Sequence, residues 1–212
     1  MEILRIENLS FQYPGASEAA LKEIGLSINE GEFVLLCGTS GCGKTTLLRL
    51  IKNELAPAGQ KSGRILYAGK PTEETDGKTS AAAIGYVMQN PDSQIVTDRV
   101  YSELAFGLEN LGVPSDAIRR RVGEMANYFG ISDWFRKRTN ELSGGQKQLL
   151  SLACVMVMQP RLLILDEPTG QLDPIAAADF IATLQKINRE LGLTVLLAEH
   201  RLEEIFPVAD RV

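Results

Sequence analysis

The sequence predicts an α/β fold with a mostly parallel central sheet, and three observations carry that reading. Short, continuous apolar runs at residues 33–37, 162–165 and 194–198 have the character of strands buried on both faces. Stretches with helical spacing of apolar residues separate them, at 44–53, 146–158 and 175–191. A glycine-rich turn joins the first of those strands to the first of those helices. Strands alternating with helices form parallel sheets, because each crossover helix returns the chain to the same edge.

The remaining elements follow in order. Leu9, Phe11 and Tyr13 alternate with polar residues, as on a half-buried strand that stops at Pro14-Gly15. A second strand fits around Leu26 and Ile28, with Asn29-Glu30-Gly31-Glu32 as its turn. Residues 57–63 read as a loop, 64–68 as a strand, 72–80 as an exposed polar loop and 84–88 as a further strand. From Val100 to Lys137 the pattern is helical, with breaks at Gly112-Val113-Pro114 and near Gly130. The stretch near residues 91–140 is thus expected to be a helical insertion into the core. The helix that begins at Gln146 ends at Gln159-Pro160. No internal repeat or low-complexity segment interrupts this plan.

At 212 residues the chain is expected to form one domain over residues 1–212 with a substantial core. Apolar residues make up 44% and charged residues 23%, an ordinary balance for a soluble protein. The formal charge of −5 speaks against non-specific nucleic-acid binding, which needs a basic surface. Cys37, Cys42 and Cys154 lack metal-ligand spacing and leave an odd thiol, as expected of reduced cysteines in a cytosolic protein. His200 is the only histidine, so a histidine-based metal cluster is excluded. Met1-Glu2-Ile3-Leu4-Arg5 lacks the basic-then-apolar layout of a signal peptide, and no apolar run is long enough to cross a bilayer. Any membrane role is therefore expected to come through a partner.

Gly38-Thr39-Ser40-Gly41-Cys42-Gly43-Lys44-Thr45 matches the phosphate-loop pattern in full, and Thr46 continues into the helix. Glycines let the backbone turn so that successive N–H groups face phosphate oxygens, and the helix N-terminus adds partial positive charge. Lys44 is expected on the β- and γ-phosphates, and the Thr45 hydroxyl on Mg²⁺. Residues 162–165 run straight into Asp166-Glu167-Pro168. Carboxylates at the end of a buried parallel strand sit where open sheets bind ligands. Asp166 is expected to hold Mg²⁺ and Glu167 to orient and polarise the attacking water. Taken alone, the pair is equally a charge cluster at a helix start. A second glycine-rich helix entry, Leu142-Ser143-Gly144-Gly145-Gln146, is another anion-binding surface, useful for a nucleotide held by a different subunit, or a simple serine cap.

Residues 142–146, lying between the phosphate loop and the acidic strand end, resemble the LSGGQ segment of ATP-binding cassette (ABC) proteins, and the resemblance covers the whole chain. It implies a P-loop NTPase (RecA-like) core with an antiparallel β subdomain and a helical subdomain. It places Tyr13 as the aromatic that stacks on adenine, and Gln89 as the glutamine near Mg²⁺ in the loop that meets a membrane partner. Asp173 falls in the loop that crosses the dimer interface, and His200 is the histidine that contacts the γ-phosphate. Two cassettes are expected to pair head to tail, each ATP clamped between one subunit's Lys44 loop and the other's Ser143, Gly144, Gly145 and Gln146. Read singly, Tyr13 is an ordinary edge-strand aromatic, Gln89 a loop residue and His200 a surface residue. Arg119-Arg120-Arg121 and Arg136-Lys137-Arg138 are solvated helix faces.

Three strings look like the ATPases of energy-coupling-factor transporters, which import vitamins and transition metals. They are Gln89-Asn90-Pro91-Asp92-Ser93-Gln94, residues 103–112, and Glu199-His200-Arg201-Leu202-Glu203-Glu204. That resemblance implies a motor on the cytoplasmic face of the membrane, with a transmembrane coupling protein and a substrate-capture subunit as partners. The helical insertion and the Gln89 loop are then the docking surface. Two departures stand out. Leu149 replaces an arginine that many cassettes carry, and is expected to face inward. The chain also stops at Asp210-Arg211-Val212, where the family continues into further strands, as expected of a domain excised from a tandem cassette. A soluble cassette ATPase acting on nucleic acid or ribosomes shares every catalytic residue, and a nucleotide sensor shares the phosphate loop. The acidic charge opposes the first, and Glu167 with His200 opposes the second. Cys42, inside the phosphate loop, is expected to lean towards thiolate beside Lys44 and the helix start, or to be an inert small residue.

Overall fold

The computed structural model describes residues 1–200, 202–203 and 205–212, so Arg201 and Glu204 of the last string lie outside the described residues. The first half of the chain runs β1 (Glu2–Gln12), β2 (Leu21–Asn29), β3 (Phe33–Leu36), α1 (Lys44–Ile51), β4 (Gln60–Tyr67), β5 (Lys70–Pro71), α2 (Gly77–Ala83) and β6 (Ile84–Val87). The second half runs α3 (Val100–Asn110), α4 (Ser115–Tyr128), α5 (Gly144–Met156), β7 (Leu162–Asp166), α6 (Pro174–Leu191) and β8 (Thr194–Ala198). Two sheets result. One is antiparallel in the order β2-β1-β4-β5; the other is wholly parallel in the order β3-β8-β7-β6. This is the α/β P-loop arrangement with an antiparallel subdomain and a helical one.

Side chains alternate between the faces of the parallel sheet with the two-residue period of a strand. Leu162, Ile164, Leu196 and Ala198 pack with Leu47, Leu48 and Ile51 of α1 and with Ile3, Leu4 and Ile65 of the antiparallel sheet. Leu163, Leu165, Val195 and Leu197 pack on the other side, against Leu152 and Met156 of α5 and Phe180 and Leu184 of α6. Each such leucine removed from water contributes about 1.5–3 kcal/mol, so both faces fix the sheet strongly. A third cluster joins Leu104 and Leu108 of α3, Val122 of α4 and Leu150 of α5. Helix α5 thus belongs to two cores at once. Because the strands are parallel, the C-terminal ends of β3, β6, β7 and β8 collect along one edge, where such sheets bind ligands.

The structure corrects four expectations. The strand read around Leu9, Phe11 and Tyr13 reaches back to Glu2 and ends at Gln12, leaving Tyr13 just outside it; register shifts and a positive φ of 47° at Asn8 break the alternation in its first half. Residues 60–63 are strand, not loop: Gln60, Lys61 and Ser62 pair with Gln12, Phe11 and Ser10 of β1, and all four stay exposed, so they leave no apolar pattern. Within 72–80, Thr72 and Ser80 are buried and α2 begins at Gly77, with Asp76 accepting from the Lys78 and Thr79 amides. Leu149 is half-buried: it touches the third core but also forms part of a cleft wall beside Ser143.

Candidate functional site

The phosphate loop closes on itself through its own lysine. Lys44, buried at the first position of α1, donates from Nζ to the Gly38 carbonyl at 2.9 Å and the Thr39 carbonyl at 3.3 Å. Gly43 caps the helix at φ 101°, and a Cβ there would lie 2.7 Å from the Ala20 carbonyl oxygen, so only glycine fits. Gly41 also has positive φ, while Ser40 and Cys42 are exposed on the loop. The Tyr13 hydroxyl is 2.9 Å from the hydroxyl of Thr46, and its ring packs edge-on to Phe11 at 5.0 Å. An exposed aromatic face is thereby held beside the first turn of α1.

At the end of β7 the two carboxylates have different surroundings. Asp166 is buried and accepts from the Thr45 hydroxyl at 2.9 Å on one oxygen and from the Tyr86 hydroxyl at 3.1 Å on the other. Burial raises its carboxyl above the usual range; the Thr45 and Tyr86 bonds pull it down, the Glu167 carboxylate pushes it up and Arg49 pulls it down. Burial, and then Asp166, pushes the Tyr86 phenol well above its ordinary value, so it stays a donor. Glu167 adopts φ 49°, a left-handed conformation that costs a non-glycine residue about 1–3 kcal/mol. Its N–H donates to the Ala198 carbonyl at 2.8 Å, and its carbonyl accepts from the Gly170 N–H at 3.1 Å.

The side chain of Glu167 is the meeting point. One carboxylate oxygen lies 2.7 Å from His200 Nε2 and 3.7 Å from Lys44 Nζ; the other accepts from Gln89 Nε2 at 3.1 Å. Lys44 Nζ is itself 3.3 Å from His200 Nε2. With its proton on Nε2, His200 donates to Glu167, and Lys44 then has the phosphate-loop carbonyls as its acceptors. Thr45, Gln89 and Asp166 border one cleft of about 390 Å³. A hydroxyl, a carboxylate and an amide oxygen are hard donors that suit a magnesium ion completed by phosphate and water.

The second glycine-rich entry is not part of this cluster. Ser143 caps α5: its hydroxyl accepts from the Gln146 N–H at 3.3 Å, and its own N–H donates to the Gln146 side chain at 3.0 Å. Ser143, Gly145 and Gln146 line a different cleft, with Trp134, Leu149 and Phe180, and Gly144 opens the helix between them. Asp173 is exposed and caps α6, accepting from the Ile175 and Ala176 amides at 3.0 Å each.

Residues 21–170 match the family model described as ABC transporter. The chain belongs to the ABC family. ATP binding and hydrolysis are the characteristic activity of this family's cassettes. A Bacillus thuringiensis protein named as an ABC transporter ATP-binding protein is 53% identical over 98% of this chain, and one from Bacillus cereus is 52% identical over 98%. The chain spans only 38% of the first and 37% of the second. Among solved structures, cbiO1 of Clostridium perfringens, described as part of the ABC transporter complex cbiONQ, superposes with a TM-score of 0.88 at 36% identity. That match covers 99% of this chain and 82% of the other. The bacterial ABC transporter cassette MJ0796, described as dimeric, gives 0.81 at 26% identity over 95% and 90% of the two chains.

Two residues that no motif announces also bond to the site. Tyr86 holds the second oxygen of Asp166 from the neighbouring strand β6. Its hydroxyl inside an apolar strand was the available signal, since a buried tyrosine needs a partner. Glu199 is 1% exposed and accepts three hydrogen bonds, two from Thr169 and one from the His200 amide. A carboxylate directly after five buried strand residues was the signal there.

Proposed function

We propose that this chain is an ATP-hydrolysing half-site in a transporter of the energy-coupling-factor type, powering uptake of a vitamin or transition metal. The observation that carries the catalytic part is the convergence of Lys44, Gln89 and His200 on Glu167, from four segments distant in sequence. MgATP supplies the phosphoryl group that is transferred. Tyr13 packs on the adenine, and Lys44 with the amides of Gly38, Thr39, Ser40, Gly41, Cys42, Gly43, Thr45 and Thr46 binds the phosphates. Thr45, Asp166 and Gln89 would hold the metal, and Tyr86 keeps Asp166 turned towards Thr45. Glu167 accepts a proton from the attacking water and aligns it, while His200 holds the phosphoryl group being transferred. Catalysis of this kind is positioning plus electrostatics, so a closed pair is fast and an open one slow.

Ser143, Gly144, Gly145 and Gln146 line a separate cleft, which supports the reading that they complete the site of a second cassette, with Asp173 at the junction. That second cassette is a homologous or identical one, in another chain or the same polypeptide. The similarity to cbiO1 and the 89–94, 103–112 and 199–204 strings support the transporter assignment. A transmembrane coupling protein and a substrate-capture subunit are the remaining partners, with the cassette peripheral on the cytoplasmic face. Among the described residues no helix is long and apolar enough to cross a membrane.

Glu167→Gln tests the catalytic reading. The variant should bind ATP, hydrolyse it poorly and accumulate as a closed pair on size-exclusion chromatography. Turnover at the wild-type rate would sink the assignment. Capture from native membranes tests the transport reading: the cassette should bring down a hydrophobic transmembrane subunit.

A further inference from the structure

Glu199 lies one residue beyond the end of β8 and directly before His200. Its carboxylate is buried, and no lysine or arginine pairs with it among the described residues. One oxygen accepts from the Thr169 N–H at 2.8 Å and the Thr169 hydroxyl at 2.6 Å; the other accepts from the His200 N–H at 2.9 Å. A buried carboxylate is costly unless donors surround it, and these three supply that need. They add a tie between two segments just beyond the last strand pair, where the sheet contributes only the bond from the Glu167 N–H to the Ala198 carbonyl. Pairing of β7 with β8 ends at Asp166 and Ala198, one residue short of Glu167 and two short of His200. Glu167 holds a left-handed backbone that persists only where its neighbours impose it. Its amide and carbonyl are fixed by Ala198 and Gly170, and Thr169, inside that turn, is fixed by Glu199.

We propose that Glu199 is a positioning residue for ATP hydrolysis. Its carboxylate clasps the turn after Glu167 to the main chain of His200, and so sets Glu167 and His200 at 2.7 Å from one another. The proposal rests on the roles given above to Glu167 and His200. Glutamine cannot take over the clasp, although its size is the same. Its oxygen satisfies Thr169 or the His200 amide, and its NH₂ then faces the other donor.

The test is a set of variants in the intact protein: Glu199→Gln, Thr169→Val and Thr169→Ser. Steady-state hydrolysis, equilibrium binding of MgATP and the thermal midpoint are measured for each. Glu199→Gln and Thr169→Val should lower kcat about tenfold or more, with Kd for MgATP within about threefold of wild type. Thr169→Ser, which keeps the hydroxyl, should recover most of the turnover. In a His200→Ala background Glu199→Gln should cost little more, because residues that act through one another are not additive. Wild-type turnover in Glu199→Gln, or full additivity with His200→Ala, overturns the clasp. If Glu199→Gln does not fold, the Thr169 pair decides: equal turnover in Thr169→Val and Thr169→Ser overturns it. Glu167→Gln, run in parallel, separates the two readings. Fast turnover there brings down the site assignment and the clasp with it. A slow Glu167→Gln beside a fast Glu199→Gln brings down the clasp alone.

Discussion

Lys52 shows how one residue under the phosphate-loop helix is held at a cost. It sits just past α1, 8% exposed, with Nζ donating to the Ser80 and Ile84 carbonyls at 2.8 Å each. Burial lowers its pKa below the ordinary lysine value, and the Glu54 carboxylate 3.7 Å away only partly restores it. The folded chain therefore gives up this proton at lower pH than the unfolded chain. Between the two values the unfolded state binds more protons, so folding stability rises with pH there. Denaturant unfolding of wild type and Lys52→Met should show this directly. The difference, wild type minus variant, should grow in favour of wild type as pH is raised from neutral to about 10. A flat difference would mean that the ammonium is not penalised by its site.

At the scale of elements, the segment that follows Gln89 is built onto the helical insertion by side chains, Glu103 first among them. Glu103, buried on α3, accepts from the Val96 N–H at 3.2 Å and the Thr97 N–H at 2.7 Å. Thr139 adds a bond from its hydroxyl to the Thr97 carbonyl at 2.8 Å. The same segment is tied to α5 by the Lys147–Asp92 ion pair at 2.6 Å, and by Gln148 donating to the Met88 carbonyl at 3.2 Å. Removing Glu103 leaves two amides without their acceptor. Glu103→Ala should cost about 2–3 kcal/mol, read as a lower denaturation midpoint at an unchanged m-value. Apolar contacts alone would not have fixed this loop, since Val96 is 63% exposed.

At the scale of the whole molecule, the site edge and the helical insertion differ in what they show to water. One edge of the parallel sheet carries the polar cluster around Glu167, while the insertion exposes Val96 and Phe106, the latter 42% exposed. Apolar side chains exposed to water on the insertion fit the docking face proposed for a transmembrane partner. Phe106→Asp should therefore release the membrane subunit in co-purification while MgATP affinity stays within about twofold and stability within about 0.5 kcal/mol. Retained partner capture would move the docking face elsewhere.

The phosphate loop, the acidic strand end and the Ser143 helix entry could be read without coordinates, because each is a local backbone device with fixed spacing. Gly43 must be glycine for the turn, Lys44 must open the helix, and Asp166 must end a buried strand. Residues 60–63 and α2 escaped that reading because exposed polar residues pair or coil without an apolar period. Gln89 and Glu167 are 78 residues apart, and Lys44 and His200 are 156 apart. Only the parallel register of β3, β8, β7 and β6 brings their strand ends to one edge. The residue types came from the sequence. Their meeting at Glu167, and the Glu199 bonds beside it, came from long-range pairing that no local spacing encodes.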